Sequence, residues 1–179
     1  MVEAARIHPL QDRLHAGNGV SLEPAETAIR FNLRAYPEKL ASVSKALGIA
    51  LPQKPKTSAS AKGVSALWLG PDEWLVIADD AKLQAKLDGL GSDICSVVDI
   101  SHRNTAIILS GSKARLALAS GCPQDLRDKA FPVGACSRTI LGKSEIVLWR
   151  TGEDQYRVEC WRSFSDYVWK YLVDAAKSA

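Results

Sequence analysis

The first clear pattern in the chain is an alternation. From Thr27 to Arg34, the residues Ile29, Phe31 and Leu33 share one face of an extended segment, which predicts a half-buried strand. Pro37 follows, a residue suited to the first turn of a helix. Leu40, Val43 and Leu47 then recur at helical spacing, and Gly48 supplies a stop. Residues 51–63 (LPQKPKTSASAKG) are rich in Pro, Ser and Lys and are expected to form an exposed flexible loop. Two strands around a tight turn come next: Ala66-Leu-Trp-Leu, then Gly70-Pro-Asp-Glu, then Trp74-Leu-Val-Ile-Ala. In that turn Pro71 fixes φ and Asp72 can bond the backbone ahead. Ala81 to Leu90 reads as a short helix, and Ile94 to Ile100, β-branched and mostly apolar, reads as a central strand.

The order then repeats. Thr105 to Leu109 reads as a strand and Gly111 to Ser120 as a helix, broken by Gly121-Cys-Pro. Cys136 to Leu141 is a strand, and Ile146 to Arg150 with Gln155 to Trp161 forms another hairpin. Ser163 can cap a last helix to about Ala176, with Phe164, Tyr167, Val168, Tyr171 and Leu172 on its apolar side. The two hairpins align at a nearly constant offset with one residue inserted in the second turn. Trp68 then matches Trp149, Asp72 matches Asp154 and Trp74 matches Tyr156. The predicted class is α+β: two βαββαβ (ferredoxin-like) units packed together, with antiparallel sheets whose open faces need covering. The expected division is an irregular N-terminal arm over residues 1–26, a first unit over 27–101 and a second over 102–179, together one compact domain. Such an arm is ordered only by lying on its own domain or on a partner.

Composition narrows the classes. Hydrophobic residues make up 46% and charged residues 24%, enough to bury a core without staples. The net charge of +3 is spread out, with no cluster of Lys and Arg among aromatics, which argues against a nucleic-acid groove. No run approaches the length of a membrane span. The first ten residues hold no apolar stretch of signal-peptide length, so the expectation is a cytoplasmic protein. The cysteines, Cys95, Cys122, Cys136 and Cys160, form no C-x-x-C pair and read as buried reduced thiols.

The sharpest candidate for chemistry is Val98-Asp99-Ile100-Ser101-His102-Arg103. Asp, Ser and His together resemble a triad, but along a strand Asp99 and Ser101 point to one face and His102 to the other. A strand end whose polar residues bond loops or a partner is the favoured reading. His8 and His15 stand in no metal-binding spacing, and Gly111-Ser-Lys lacks the earlier glycine of a phosphate loop. Asp72-Glu73 and Glu153-Asp154 fall in turns, where Asp bonds locally. Trp68, Trp74, Trp149, Trp161 and Trp169 cluster on the hairpins and last helix, and tryptophan is enriched at interface hot spots. The expected subunit interface therefore takes in Trp68, Pro71, Asp72 and Trp74 of the first hairpin and Trp149 of the second. It also takes in Asp99, Ser101, His102 and Arg103 at the strand end, together with the arm. No catalytic, cofactor-binding or metal-binding residue is assigned.

Several stretches resemble the gamma subunit of heterotetrameric sarcosine oxidase. They are Leu67-Trp-Leu-Gly-Pro-Asp-Glu-Trp-Leu-Val-Ile, Gly48-Ile-Ala-Leu-Pro, Val97-Val-Asp-Ile-Ser-His-Arg, Ser120-Gly-Cys-Pro-Gln-Asp-Leu and Trp161-Arg-Ser-Phe-Ser-Asp-Tyr-Val-Trp-Lys-Tyr-Leu, in order along nearly the whole chain. The same segments look like a shortened relative of the folate-binding domain of the glycine cleavage T-protein, through Asp99 to His102, Ser110-Gly111, Asp125-Leu126, Thr139 and the Trp149 hairpin. That family's Gly-Gly-x-x-Asp-Asp stretch is replaced here by Leu141-Gly-Lys-Ser-Glu-Ile, and its barrel-like domain has no counterpart in these residues. Both departures weigh against folate chemistry by this chain. The resemblance implies a non-catalytic structural subunit working with alpha, beta and delta chains, which carry FAD, FMN, NAD, tetrahydrofolate and zinc. The implied reaction is oxidative demethylation of sarcosine to glycine. The alternative is a stand-alone folate-binding or aminomethyltransferase-like protein.

Overall fold

A strand covered on both faces is apolar throughout, and its odd and even residues serve different cores. The run Glu73–Ala78 is such a strand: Trp74, Val76 and Ala78 join one apolar cluster, Leu75 and Ile77 another. A computed structural model describes residues 8–80 and 82–179, and two-sided burial of this kind sets its layering. The elements are β1 (His15–Gly17), β2 (Val20–Pro24), β3 (Ile29–Ala35), α1 (Leu40–Leu47), β4 (Ser58–Ala61), β5 (Val64–Gly70), β6 (Glu73–Ala78), α2 (Lys82–Asp88) and β7 (Cys95–Asp99). They continue with β8 (Asn104–Ser110), α3 (Ala114–Ala119), β9 (Cys136–Leu141), β10 (Ser144–Gly152), β11 (Gln155–Trp161) and α4 (Ser165–Ser178).

Two antiparallel sheets result, ordered β4-β5-β6-β3-β7 and β1-β2-β8-β11-β10-β9. Helices α1 and α2 cover the outer face of the first over Phe31, Leu33, Val43, Trp74 and Leu83. Helices α3 and α4 cover the outer face of the second over Leu22, Ile107, Leu118, Tyr156 and Leu172. The inner faces meet through a smaller cluster of Leu67, Leu75, Ile77, Ile100, Cys136 and Val147. The α+β class and the paired antiparallel sheets agree with the sequence reading.

The repeat is real, with a different register and a different ending. Both hairpins have two-residue turns, with Gly70 paired to Glu73 and Gly152 to Gln155, and each is bulged just before its glycine. No residue is inserted. Trp74 matches Tyr156 as expected, but Trp68 matches Arg150, so the pairing of Trp68 with Trp149 is corrected. A one-residue slip moves a side chain to the opposite face. Trp68 accordingly packs toward the helix side and Trp149 toward the inter-sheet side. In the first sheet β3, α1, β5, β6, α2 and β7 follow the βαββαβ order. In the second, β8, α3, β10, β11 and α4 follow it, and β2 takes the place of the sixth element beside β8.

Four sequence expectations are corrected. The arm is not irregular over residues 15–24: Val20 and Leu22 alternate into the second core, and β2 pairs with both β1 and β8. Residues 1–7 of the arm and Ala81 at the predicted start of α2 lie outside the described residues. The segment 51–63 is partly a strand. Lys62 and Gly63 take positive φ (52° and 74°), the geometry of a two-residue hairpin turn, and this pairs β4 with β5. Strand β7 is an edge, not a central strand, and Val98 is 53% exposed. Helix α4 starts after a 3-10 turn at Arg162–Phe164 without a side-chain cap. It buries Val168, Trp169, Leu172 and Ala176 and leaves Phe164 and Tyr167 outside.

Candidate functional site

Polar side chains of both sheets meet between the layers. Arg30 of β3 and Arg157 of β11 hold the carboxylate of Glu159 from two sides, Arg30 Nε at 2.7 Å from Oε2 and Arg157 Nε at 2.8 Å from Oε1. The Arg30 side chain is 4% exposed and that of Glu159 0%. Arg30 Nη1 also donates to the Ala28 carbonyl at 2.9 Å. Buried charges persist only when paired and hydrogen-bonded, so this bridge fixes the first sheet against the second.

Nearer the surface, Glu73 of β6 accepts a bond from Asn32 Nδ2 at 2.7 Å and pairs with Arg138 Nη2 of β9 at 2.5 Å. Burial pushes the Glu73 carboxyl up, but the bonds from Arg138 and Asn32 outweigh it and leave the group below its ordinary value. These residues line a cleft of about 370 Å³ between the sheets, together with Val98, Arg103, Glu145 and Trp161. Arg103 lies over the Trp161 ring, 5.4 Å from its centroid, and Phe164 tilts against the same ring at 6.1 Å. The cleft therefore offers an aromatic and cationic rim over groups already committed to one another. It suits a docking surface better than a reaction centre.

The expected interface residues are dispersed. Pro71 is exposed at the tip of the first hairpin. Asp72 beside it pairs with Arg34 at 2.6 Å in a solvent-facing bridge. Trp68 and Trp149 are half-buried, and the Trp149 indole N–H has no partner among the described residues. Trp74 is a correction. It is 0% exposed and donates its indole N–H to the Pro52 carbonyl at 2.7 Å, so it is a core residue unavailable to a partner. Trp161, not singled out for the interface from the sequence, is 42% exposed. The signal was available: Trp161 follows Glu159 at a spacing of two, on the inner face and past the end of the apolar packing.

The Asp99–Arg103 segment is a turn held by side chains that accept from backbone N–H groups. Asp99 Oδ1 accepts the Ser101 N–H at 2.7 Å, and Ser101 Oγ accepts the Arg30 N–H at 2.9 Å. Ser101 thus anchors the turn to β3, while His102 and Arg103 are exposed. A second cavity, about 180 Å³, lies beside this turn and is lined by His8, Thr27, Arg30, Ser101, His102 and Arg162, among others.

Gly111-Ser-Lys is explained without phosphate. Gly111 has φ 112°, and a Cβ there would lie 2.3 Å from the Gly19 carbonyl oxygen. The Lys113 N–H donates to that same carbonyl at 3.1 Å. Lys113 Nζ and Asn18 Nδ2 both bond the Ala179 carbonyl, at 3.0 and 2.7 Å. The motif is the seat of the β1–β2 turn. All four cysteines are buried and free, and burial pushes Cys136 and Cys160 up to about 12. Asp125 is held at about 2 by Arg127, which donates to both its carboxylate oxygens. Among the described residues no group of three or more His, Cys, Asp and Glu is arranged to hold a metal ion.

Comparison with known proteins places this architecture. The model of the sarcosine oxidase, gamma subunit family matches residues 33–178. The chain is 37% identical to sarcosine oxidase subunit gamma of Corynebacterium sp. (strain P-1), over 161 residues covering 87% of this chain and 79% of that one. It is 36% identical to the subunit of the same name from Arthrobacter sp., with the same coverage of both chains. Among solved structures it is similar to a chain of the heterotetrameric sarcosine oxidase from Corynebacterium sp. U-96 in complex with pyrrole 2-carboxylate. That match has a TM-score of 0.89 and 31% identity and covers 97% of this chain and 95% of that one. Its fold is also that of part of the glycine cleavage system aminomethyltransferase T from Bartonella henselae, with a TM-score of 0.63 at 15% identity over 87% of this chain and 45% of that one. On the family match, the identities and the superposition together, this chain belongs to the sarcosine oxidase gamma subunit family.

Proposed function

We propose that the chain is a non-catalytic structural subunit of a heterotetrameric sarcosine oxidase, assembled with alpha, beta and delta chains in the cytoplasm. The observation that carries this reading is the superposition, along nearly the full length of both chains, on a chain of such an oxidase. The pairing of Glu73 and Glu159 with arginines supports it, because each carboxylate is spent on holding the sheets. No helix among the described residues is long and apolar enough to cross a membrane. The complex oxidises sarcosine with oxygen and water to glycine, formaldehyde and hydrogen peroxide, or hands the one-carbon unit to tetrahydrofolate as 5,10-methylenetetrahydrofolate. FAD, FMN, NAD, the folate and zinc lie on the other chains. In this reading residues 27–101 and 102–179 are the two units of one domain, with residues 1–26 as an arm that lends β2 to the second.

The contact surface comprises the Pro71-Asp72 hairpin tip with Trp68 behind it, the turn Asp99, Ser101, His102 and Arg103, and Trp149, extended by Trp161 and Phe164. Native mass spectrometry after co-expression with the other three chains tests the assembly. The expected result is a heterotetramer that includes this chain, with no flavin or pterin on the purified chain alone. Tight tetrahydrofolate binding or amine turnover by the pure chain overturns the reading in favour of a stand-alone folate-binding protein.

A further inference from the structure

The pseudo-repeat supplies its own template for a missing contact. Strand β2 occupies in the second sheet the place that β7 occupies in the first, each beside the first strand of its unit. The outer edge of β2 is covered by β1, antiparallel, with His15, Ala16 and Gly17 opposite Leu22, Ser21 and Val20. Among the described residues no strand lies outside β7. The sequence of β7, Cys95-Ser-Val-Val-Asp, carries none of the Pro, Lys or bulge that protects a bare edge from pairing.

The hydrogen-bonding side of that edge can be read off. The Ile100 N–H donates to the Arg30 carbonyl at 2.8 Å. Because antiparallel pairs alternate, Val98 and Ser96 turn their backbone groups to β3, and Val97, opposite Leu33, turns its N–H and C=O outward. Val98 is 53% exposed and shares a wall of the inter-sheet cleft with Trp161. An outward ladder position thus lies beside two exposed apolar side chains, Val98 and Trp161, on an otherwise polar cleft, the arrangement by which an extended segment adds to a sheet.

We propose that β7 receives, antiparallel, an extended segment of a partner subunit of the oxidase, whose apolar side chain packs on Val98 and Trp161. The inference rests on the subunit reading given above and names its mode of docking. The test is Val97→Pro, which removes the outward N–H without taking a bond from β3. Both versions are co-expressed with the tagged partner subunits, and thermal unfolding of the purified chain is measured alongside. The expected result is a wild-type complex, a more than tenfold loss of complex for V97P, and melting temperatures within a few degrees. Undiminished capture of V97P overturns the β7 proposal and leaves the subunit reading standing. Failure of the wild type to be captured overturns both. If V97P melts early, hydrogen exchange on the wild-type complex decides: slowing of the Val97 N–H by tenfold or more supports the proposal, and unchanged exchange overturns it. A wild-type chain that dimerises alone through β7 also overturns it, by assigning the edge to a second copy.

Discussion

Strands β7 and β2 hold equivalent places in the two sheets, yet they are made and finished differently. β7 follows α2 directly in the chain and leaves Val98 in solvent. β2 comes from the other end of the sequence, buries Val20 and Leu22 to 3% and 0%, and is itself capped by β1. Among the described residues the first sheet is therefore continuous in sequence and ends at β7, whereas the second borrows β2 and ends one strand further out, at the three-residue β1. The first half is built from neighbouring segments, and the second gains its extra strands from a distant one. Non-local pairing carries a larger loop-closure cost, so the borrowed strand must be held by burial.

Breaking the borrowed side should have the largest effect. Removing residues 1–24 withdraws Leu10, Val20 and Leu22 from the second core. At about 1.5–3 kcal/mol for each fully buried side chain, that loss rivals the whole stability of a domain, about 5–15 kcal/mol. The truncated chain should show no cooperative unfolding transition by calorimetry; a transition near that of the full chain would show that the second sheet closes without β2.

The bridge between the halves comes next. Glu159→Ala leaves Arg30 buried without its partner and should cost about 3–5 kcal/mol in denaturant titration. Asp72→Ala breaks only a solvent-facing pair with Arg34 and should cost less than about 1 kcal/mol. Comparable losses would mean that the sheets are not joined through Glu159. A pair of truncations then compares the edges directly. Leu22→Ala should cost about 2–5 kcal/mol, and Val98→Ala should stay within about 0.5 kcal/mol, measured on the free chain.

The smallest effect is on acidity. His8 Nδ1 accepts the Leu10 N–H at 3.2 Å, so the neutral ring carries its proton on Nε2, 3.0 Å from Thr105 Oγ1. Burial, then the positive charges of Arg30 and Arg162, hold its pKa below the ordinary value. The unfolded chain therefore takes up the proton first as the pH falls through about 6.5. Docking of the arm is complete above that pH and weakens below it. Hydrogen exchange of the Leu10 amide should quicken between pH 7.5 and 5.5, roughly a pH unit either side of the ordinary histidine value, beyond its intrinsic trend. A His8→Gln variant should lose that dependence.

The outer cores were legible because their strands and helices carry strong periods: Ile29, Phe31 and Leu33, or Leu40, Val43 and Leu47, announce their faces directly. The arm was not, because β1 and β2 are short and lie among Gly17, Gly19 and Pro24, and their partner β8 is remote in sequence. Trp74 was misjudged although the run Trp74 to Ala78 holds no polar residue, which already implied cover on both faces. The Glu159 bridge was hidden for a different reason. Arg30 and Glu159 each look like an ordinary solvent-facing residue of an alternating strand, and only the stacking of the sheets turns that face inward.

The seat of the β1–β2 turn has a practical consequence for chain order. Asn18 lies against the Ala179 carbonyl, and β2 is spatially the element that follows α4. A permuted gene that begins at Thr27 and appends residues 1–26 after Ala179 through a flexible connector would read both units straight through. The backbone path would then coincide with the architecture, and β2 would be synthesised directly after the unit that it completes instead of being held until that unit emerges.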